Sequence, residues 1–515
     1  MTSPAQTRRP ARPPAVDRLS ASRAFYGKSL ALVAVLHAVL YLVDPSPRFF
    51  FGDSAAYLAS AERYTPPDRS WTYGPLVAWL TAGGARGGLA ALVVAQVGAH
   101  VLATLAALVI LARHLRVRRG LALGVAVVMS VLPAHMLWTR YVMTEAFAMA
   151  ALSGLLLCVF EYLRSARAAW LLPLHVFGIA AIALRTVMVP PVWLAGTLLP
   201  VLVGARRSGF ARRHWGRAVA HLAVSLACIA SLHLPYRDQY AARRSWTASL
   251  PERAPPAYSY EAGQFMLGWV APIVRAGDFP ADLDGAEILA TSVDVGQHRA
   301  RNPQRFAADG LVAQLGAAVA ASAEPGRRHE PVAASVARRA VARDPAGAAR
   351  LGLTTAMDFL DADYLAGEMR TELGLDRDPP LGFAATALER YGVSGVPEPP
   401  SLLQRAYLAL QPYFAVLPWG LLLVPLALLR APQRQRSSLW LLAAAAAYFG
   451  LAALYFCFSS STRFMLPFSW LLPLVVAARW GAVPAVVARM EPAVGGRAEA
   501  PAAVDAVREP VEAGL

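Results

Sequence analysis

What most restricts this chain is the length of its apolar runs: block after block extends as far as a membrane-crossing helix with scarcely a charge. A helix needs about 20 predominantly apolar residues to cross the hydrocarbon layer. Ten blocks meet that need, near 27–43, 87–112, 120–137, 144–163, 170–186, 188–204, 218–235, 407–429, 439–458 and 464–479. Arg185 and the pair Pro190-Pro191 set the fifth block apart from the sixth. Charged residues make up only 16% of the chain, against about 25% in a soluble domain. The expected fold is an all-α polytopic membrane protein of about ten transmembrane helices. A mainly helical extracytoplasmic domain is expected between the seventh and the eighth.

The formal charge of +16 does not make this a nucleic-acid binder, because the basic residues form no stripe interleaved with aromatics. Lys28 is the only lysine, and the arginines sit mostly in loops. Cys158, Cys228 and Cys457 all fall in apolar blocks, which excludes a disulfide framework outside the membrane. No Cys/His cluster suggests a metal site, although a divalent ion used in catalysis stays open. The Pro- and Arg-rich stretch to Arg23 reads as a disordered tail, 1–26. The apolar run behind it has no small-residue cleavage site and reads as a retained first span.

Arginine placement orients the spans. With the N-terminus cytoplasmic, the short inner loops 113–119, 164–169, 205–217 and 430–438 hold fourteen arginines. The short outer segments hold about half as many, among them Arg48, Arg63, Arg69, Arg140, Arg185 and Arg463. That bias follows the positive-inside rule. The chain then divides into a seven-span module (27–235, with a first outer loop at 44–75), an outer region (236–404), a three-span module (405–480) and a cytoplasmic disordered tail (481–515). The outer region carries 21 of the 33 acidic residues.

Helix signals run through that region. Asp344-Pro345 has the chemistry of a helix start, and Leu351, Leu353, Met357, Leu360, Tyr364 and Leu365 follow at roughly helical spacing. Residues 258–275 carry Phe265, Met266, Trp269, Val270 and Ile273, which suits either a core-facing helix or one lying on the membrane. The Pro-rich 396–400 reads as a linker. Asp361-Ala362-Asp363 reads as a solvated helix face rather than a nucleotide-sugar motif. His37, His100 and His175, each alone in a span, read as hydrogen-bonding groups of the bundle core.

The most informative stretch is 48–75, directly after the first span. Phe49 to Phe51 suit an interface. Asp53 can cap a short helix carrying Tyr57, Leu58 and Ala61, or it can do chemistry. Three other segments stand at the outer ends of spans: Arg140-Tyr141-Val142-Met143-Thr144-Glu145, Leu184-Arg185 ahead of Pro190 and Pro191, and Thr462-Arg463-Phe464-Met465-Leu466-Pro467. At these matched positions the membrane part, roughly 30–235 and 405–480, resembles the GT-C membrane glycosyltransferases, of the protein mannosyltransferase and aminoarabinose transferase type. The outer region 236–404 matches nothing in that class by motif. Asp53 is followed by Ser54, which departs from branches with paired acids in this loop.

The resemblance implies transfer of a sugar from a polyprenyl-phosphate donor to an extracytoplasmic glycan, lipid or protein acceptor, with inversion. It implies Asp53 as the catalytic base and Glu145 as a second carboxylate. Arg140, Arg185, Arg463 and Arg69 become candidates for the donor phosphate, since Arg suits bidentate phosphate contacts. Tyr57 and Tyr73 become candidate substrate contacts, and no metal ligand is implied. Two other functions fit the same apolar pattern: a transporter or flippase of lipid-linked saccharide, and a non-catalytic envelope assembly protein. Transporters place ionisable groups mid-membrane, whereas nearly all charges here fall at span ends.

Overall fold

An apolar segment in lipid must satisfy its own backbone, which leaves helices or closed barrels. This chain forms helices. The computed structural model describes residues 15–50, 53–63, 72–81, 88–208, 212–239, 262–292, 309–322, 327–375, 391, 399–429, 436–455 and 461–481. Among them no strand forms, and one isolated parallel bridge joins Arg48 to Tyr141. Ser29–Ala482 is one compact unit and contains the packing and the site described below. Of the other unit, Met1–Lys28 with Val483–Leu515, only the first turns of α1 are described.

The first part of the chain forms α1 (Ala15–Val43), α2 (Asp53–Arg63), α3 (Tyr73–Leu80), α4 (Gly88–Val109), α5 (Arg119–Val131), α6 (Pro133–Met136), α7 (Glu145–Ser165), α8 (Leu171–Leu184), α9 (Val189–Ser208) and α10 (Arg212–Cys228). The middle part forms α11 (Ala262–Val270), α12 (Gly285–Thr291), α13 (Leu311–Ala321), α14 (His329–Arg343), α15 (Pro345–Asp358) and α16 (Ala362–Glu372). The last part forms α17 (Leu402–Leu408), α18 (Gln411–Val416), α19 (Leu423–Leu428), α20 (Arg436–Tyr455) and α21 (Leu466–Trp480).

Seven helical stretches among the described residues are long and apolar enough to cross a membrane: Arg23–Val43, Gly88–His114, Glu145–Ser165, Thr186–Val203, Trp215–Gln239, Leu402–Leu428 and Ser437–Leu454. The chain is therefore a multi-pass, all-α membrane protein. The apolar block at 120–137 is not one straight helix. Arg119–Val131 and Pro133–Thr139 meet at 55°, because Pro133 has no N–H to continue the ladder and Leu132 turns extended. The blocks at 170–186 and 464–479 form the shorter apolar helices Ala168–Leu184 and Leu466–Trp480.

Exposed apolar stripes run along α9 and α1. Leu194, Leu198 and Leu202 of α9 are about half exposed at four-residue spacing, as are Val35 and Val39 of α1. By contrast α7 is buried on almost every side, between α4 and α8. Its Gly154 permits that approach: a Cβ there would lie 2.6 Å from the Phe177 ring. Buried histidines join the helices. His37 Nε2 lies 2.6 Å from His100 Nδ1, His135 Nε2 2.9 Å from Ser469 Oγ, and His175 Nε2 2.6 Å from Ser225 Oγ.

The middle region has a core of its own, with Leu267, Val270, Leu311, Leu315, Val336 and Ala340 fully buried. The membrane-surface reading of 258–275 does not hold for its described part: α11 packs on α14 with Leu267, Trp269 and Val270 inside. Asp344 caps α15 by accepting from the Gly347 amide at 2.7 Å. Asp361 caps α16 by accepting from the Tyr364 amide at 3.1 Å, so the Asp361-Ala362-Asp363 sequence is a helix start. Asp376–Glu389 and the linker around Pro397 lie outside the described residues.

A buried carboxylate paired with an arginine helps to fasten this core. Arg343 donates through Nε to Asp278 Oδ1 at 3.0 Å and through Nη2 to Oδ2 at 2.7 Å. Burial pushes the Asp278 carboxyl up, but the hydrogen bonds from Arg343 and from the Arg275 amide outweigh it and hold it below its ordinary value. A depressed carboxylate contributes stability above its unfolded pKa, and that contribution fades as pH falls through the folded value. Asp278→Asn is expected to destabilise the region by about 1–3 kcal/mol at pH 7. Unfolding temperatures of the two purified proteins should converge as the pH drops below about 4.

Candidate active site

Asp53 and Glu145 are 92 positions apart in the sequence and meet because the first loop is stitched to the segment ahead of α7. The Arg48 amide donates to Arg140 O at 2.8 Å, and the Val142 amide donates to Arg48 O at 2.9 Å. Ser54 then pins the start of α2: its hydroxyl donates to Val142 O at 3.0 Å and accepts from the Phe50 amide at 2.7 Å. Asp53 is the first residue of α2 and Glu145 the first of α7. Both helix N-termini favour a carboxylate, and both side chains are buried.

Two arginines stand against these acids. Arg463 donates through Nη1 to Asp53 Oδ2 at 2.5 Å, and its Nε lies 3.6 Å from Glu145 Oε1. Arg185 Nη2 donates to the same Glu145 oxygen. The Arg463 guanidinium also lies over two rings, 4.2 Å from the centre of Phe50 and 4.9 Å from that of Phe464. Burial pulls the Arg463 pKa down, but the Asp53 charge and hydrogen bond and the Glu372 charge raise it above its ordinary value. It is a fixed cation. Arg185 is the more accessible of the two, with its side chain 24% exposed against 8% for Arg463.

The loop that carries Arg463 is held from the middle region. Ser461 and Thr462 both donate to the buried carboxylate of Glu372, at the end of α16. Tyr407 shares the Thr462 hydroxyl at 2.5 Å. Burial raises the Glu372 pKa against the hydrogen bonds from Ser461 and Thr462 and the charge of Arg463. Arg185 sits at the extended end of α8. Its turn is fixed by Thr72 Oγ1 donating to Ala183 O at 3.0 Å and by Tyr448 OH donating to Val187 O at 2.7 Å.

The remaining candidates are placed differently. Arg140 does not join the acids. It is fully buried and donates through Nε to Asp44 O and through Nη1 to Thr139 Oγ1, each at 2.5 Å. Tyr73 is fully buried and donates to Gln96 Oε1 at 3.0 Å, while Tyr57 meets it edge-on at 4.7 Å between ring centres. These tyrosines form a buried pair between α2 and α3. Gly74 permits the close approach of α3 to α2, since a Cβ there would fall 2.8 Å from the Ser60 backbone. Arg69 lies outside the described residues. Thr144, which precedes α7, makes no side-chain cap. Among the described residues, Thr144 Oγ1 and Glu145 Oε2 are buried without a hydrogen-bond partner.

Sequence reasoning missed Ser54, Gln96, Glu372 and Phe50 as parts of this site. Gln96 carried a signal, being a lone amide in an apolar block. Its Nε2 donates to Thr139 O at 3.0 Å and to Tyr141 O at 2.9 Å, so it shapes the segment ahead of Glu145. Glu372 carried none. Among the described residues no group of three or more His, Cys, Asp or Glu is arranged to hold a metal ion. No family model, no curated protein and no solved structure matches this chain.

Proposed function

We propose that the protein is an integral membrane glycosyltransferase that moves a sugar from a polyprenyl-phosphate donor to an extracytoplasmic acceptor, with inversion, in envelope glycan or glycoconjugate assembly. The observation that carries this reading is the convergence of Asp53 and Glu145 on Arg463, with Arg185 beside them. The reading also takes ten spans, counting the bent and the two shorter apolar segments, and places both termini in the cytoplasm and 236–404 outside.

The chemistry divides among these residues. The acceptor hydroxyl oxygen bonds to the anomeric carbon as the bond from that carbon to the phosphate oxygen breaks. The departing polyprenyl phosphate keeps the bonding electrons, and Asp53 takes the hydroxyl proton. Glu145 Oε2 and Thr144 Oγ1 supply buried polar atoms that can hold the acceptor. Arg463 fixes both carboxylates, and Arg185, the more accessible cation, stabilises the phosphate.

The test uses purified protein in vesicles containing a labelled polyprenyl-phosphate sugar and a cell-envelope extract as acceptor. The proposal expects label to leave the lipid and appear covalently on an acceptor. Label that crosses the bilayer still attached to its lipid would instead establish a transporter.

A further inference from the structure

Helix α15 carries its apolar residues on both sides. Its inner face, with Ala348, Leu351, Thr355 and Ala356, is buried, and the helix packs against α11, α14 and α20. Its outer face carries Ala346, Ala349, Leu353, Met357 and, just past its end, Leu360. Leu353 is 56% exposed, Met357 45% and Leu360 44%. Spacings of four and three put them on one face. No acidic residue lies on that stripe, and Arg350 at its edge is the one charge. A helix face turned to water carries polar groups instead.

A helix packed on α15 points to what covers this face. α15 packs against α20, a helix of membrane-crossing length whose outward residues include Trp440 and Leu451, each about half exposed. Both packed helices thus expose large apolar side chains, and α20 is long enough to cross a membrane. We infer that the exposed face of α15 is seated in the lipid bilayer. Arg350 then extends to the headgroups while its stem lies on apolar surface. Leu353, Met357 and Leu360 enter the acyl layer, as in an interfacial helix. Phe359, fully buried, fixes the turn into α16, which ends on Glu372 beneath the Arg463 loop. A bilayer-seated helix thus lies one short helix from the candidate site. The seating itself does not depend on sugar transfer.

The experiment places a spin label singly at Leu353→Cys, Met357→Cys and Leu360→Cys in the full chain in vesicles, with Cys158, Cys228 and Cys457 replaced by Ala. Glu287→Cys, exposed on α12, is the water-facing reference. Relaxation by oxygen is expected to exceed relaxation by a water-soluble nickel chelate several-fold at the three α15 positions, and the order should reverse at 287. Nickel-dominated relaxation at α15 overturns the inference, because the face is then in water. Weak relaxation by both overturns it too, because protein then covers the face. A second readout needs no substitution: a photoactivatable phospholipid in wild-type vesicles should attach within residues 346–360. Attachment to the spans without attachment to 346–360 overturns the inference.

Discussion

Asp53→Asn is expected to lower sugar transfer by about 10²–10⁴-fold, the range lost with a general base, while the protein still accumulates in the membrane. Asn keeps the size of the side chain and can still accept a hydrogen bond from Arg463, so the site should hold its shape. What it loses is the basic oxygen to which the proposal gives the acceptor proton. The assay is the vesicle reaction described above, read as the initial rate of acceptor labelling per folded protein. Transfer at the wild-type rate would remove Asp53 from the mechanism. Loss of folded protein along with transfer would show that Asp53 serves mainly to hold Arg463.

The second large effect falls on Arg463. It is buried between Asp53 and Glu145 and braced by two aromatic rings. Removing one partner of a buried ion pair leaves an uncompensated charge, at a cost of about 3–5 kcal/mol. Arg463→Ala takes the buried cation from Asp53 and leaves Glu145 to Arg185 alone, so it should sharply reduce the amount of folded protein. Arg463→Lys restores a charge but has neither the planar fork nor the flat face that packs on Phe50 and Phe464. The lysine variant is expected to recover most of the folded yield and little of the transfer. Equal yields for wild type and Arg463→Ala, measured by detergent-extracted monodisperse protein, would contradict the role assigned to Arg463.

The membrane fold was legible because its signal is thermodynamic and local: a long apolar block has few alternatives in water or lipid. Where the described helices differ from the apolar blocks, short-range features intervene. Pro133 broke one block at 55°, and two others formed helices shorter than a full crossing. The convergence of Asp53 and Glu145 was expected only from resemblance, and its physical cause is more modest. Ser54, the residue that made a paired-acid loop doubtful, is the one whose hydroxyl binds Val142 O and sets the first loop beside α7. Nothing local marks Glu372 as a partner of Ser461 and Thr462, because 89 and 90 positions separate them and only the folded chain joins them. Arg140 and Arg185 look alike in sequence, each alone at a span end. They separate only in the fold, where Arg140 turns inward to Asp44 and Arg185 turns to Glu145. The helical repeat from Leu351 to Leu365 mixed two faces that exposure alone can sort, with Leu351 and Leu365 inside and Leu353 and Met357 outside.

The most direct measurement is mass spectrometry of the intact protein purified with its native lipids, compared across wild type, Asp53→Asn and Arg185→Ala. A polyprenyl-phosphate sugar should accompany the wild type, persist in Asp53→Asn, whose defect lies on the acceptor side, and be depleted at least several-fold in Arg185→Ala. If none of the three carries such a lipid, or if Arg185→Ala retains as much of it as the wild type, the site formed by Asp53, Glu145, Arg185 and Arg463 does not hold a lipid-linked sugar donor.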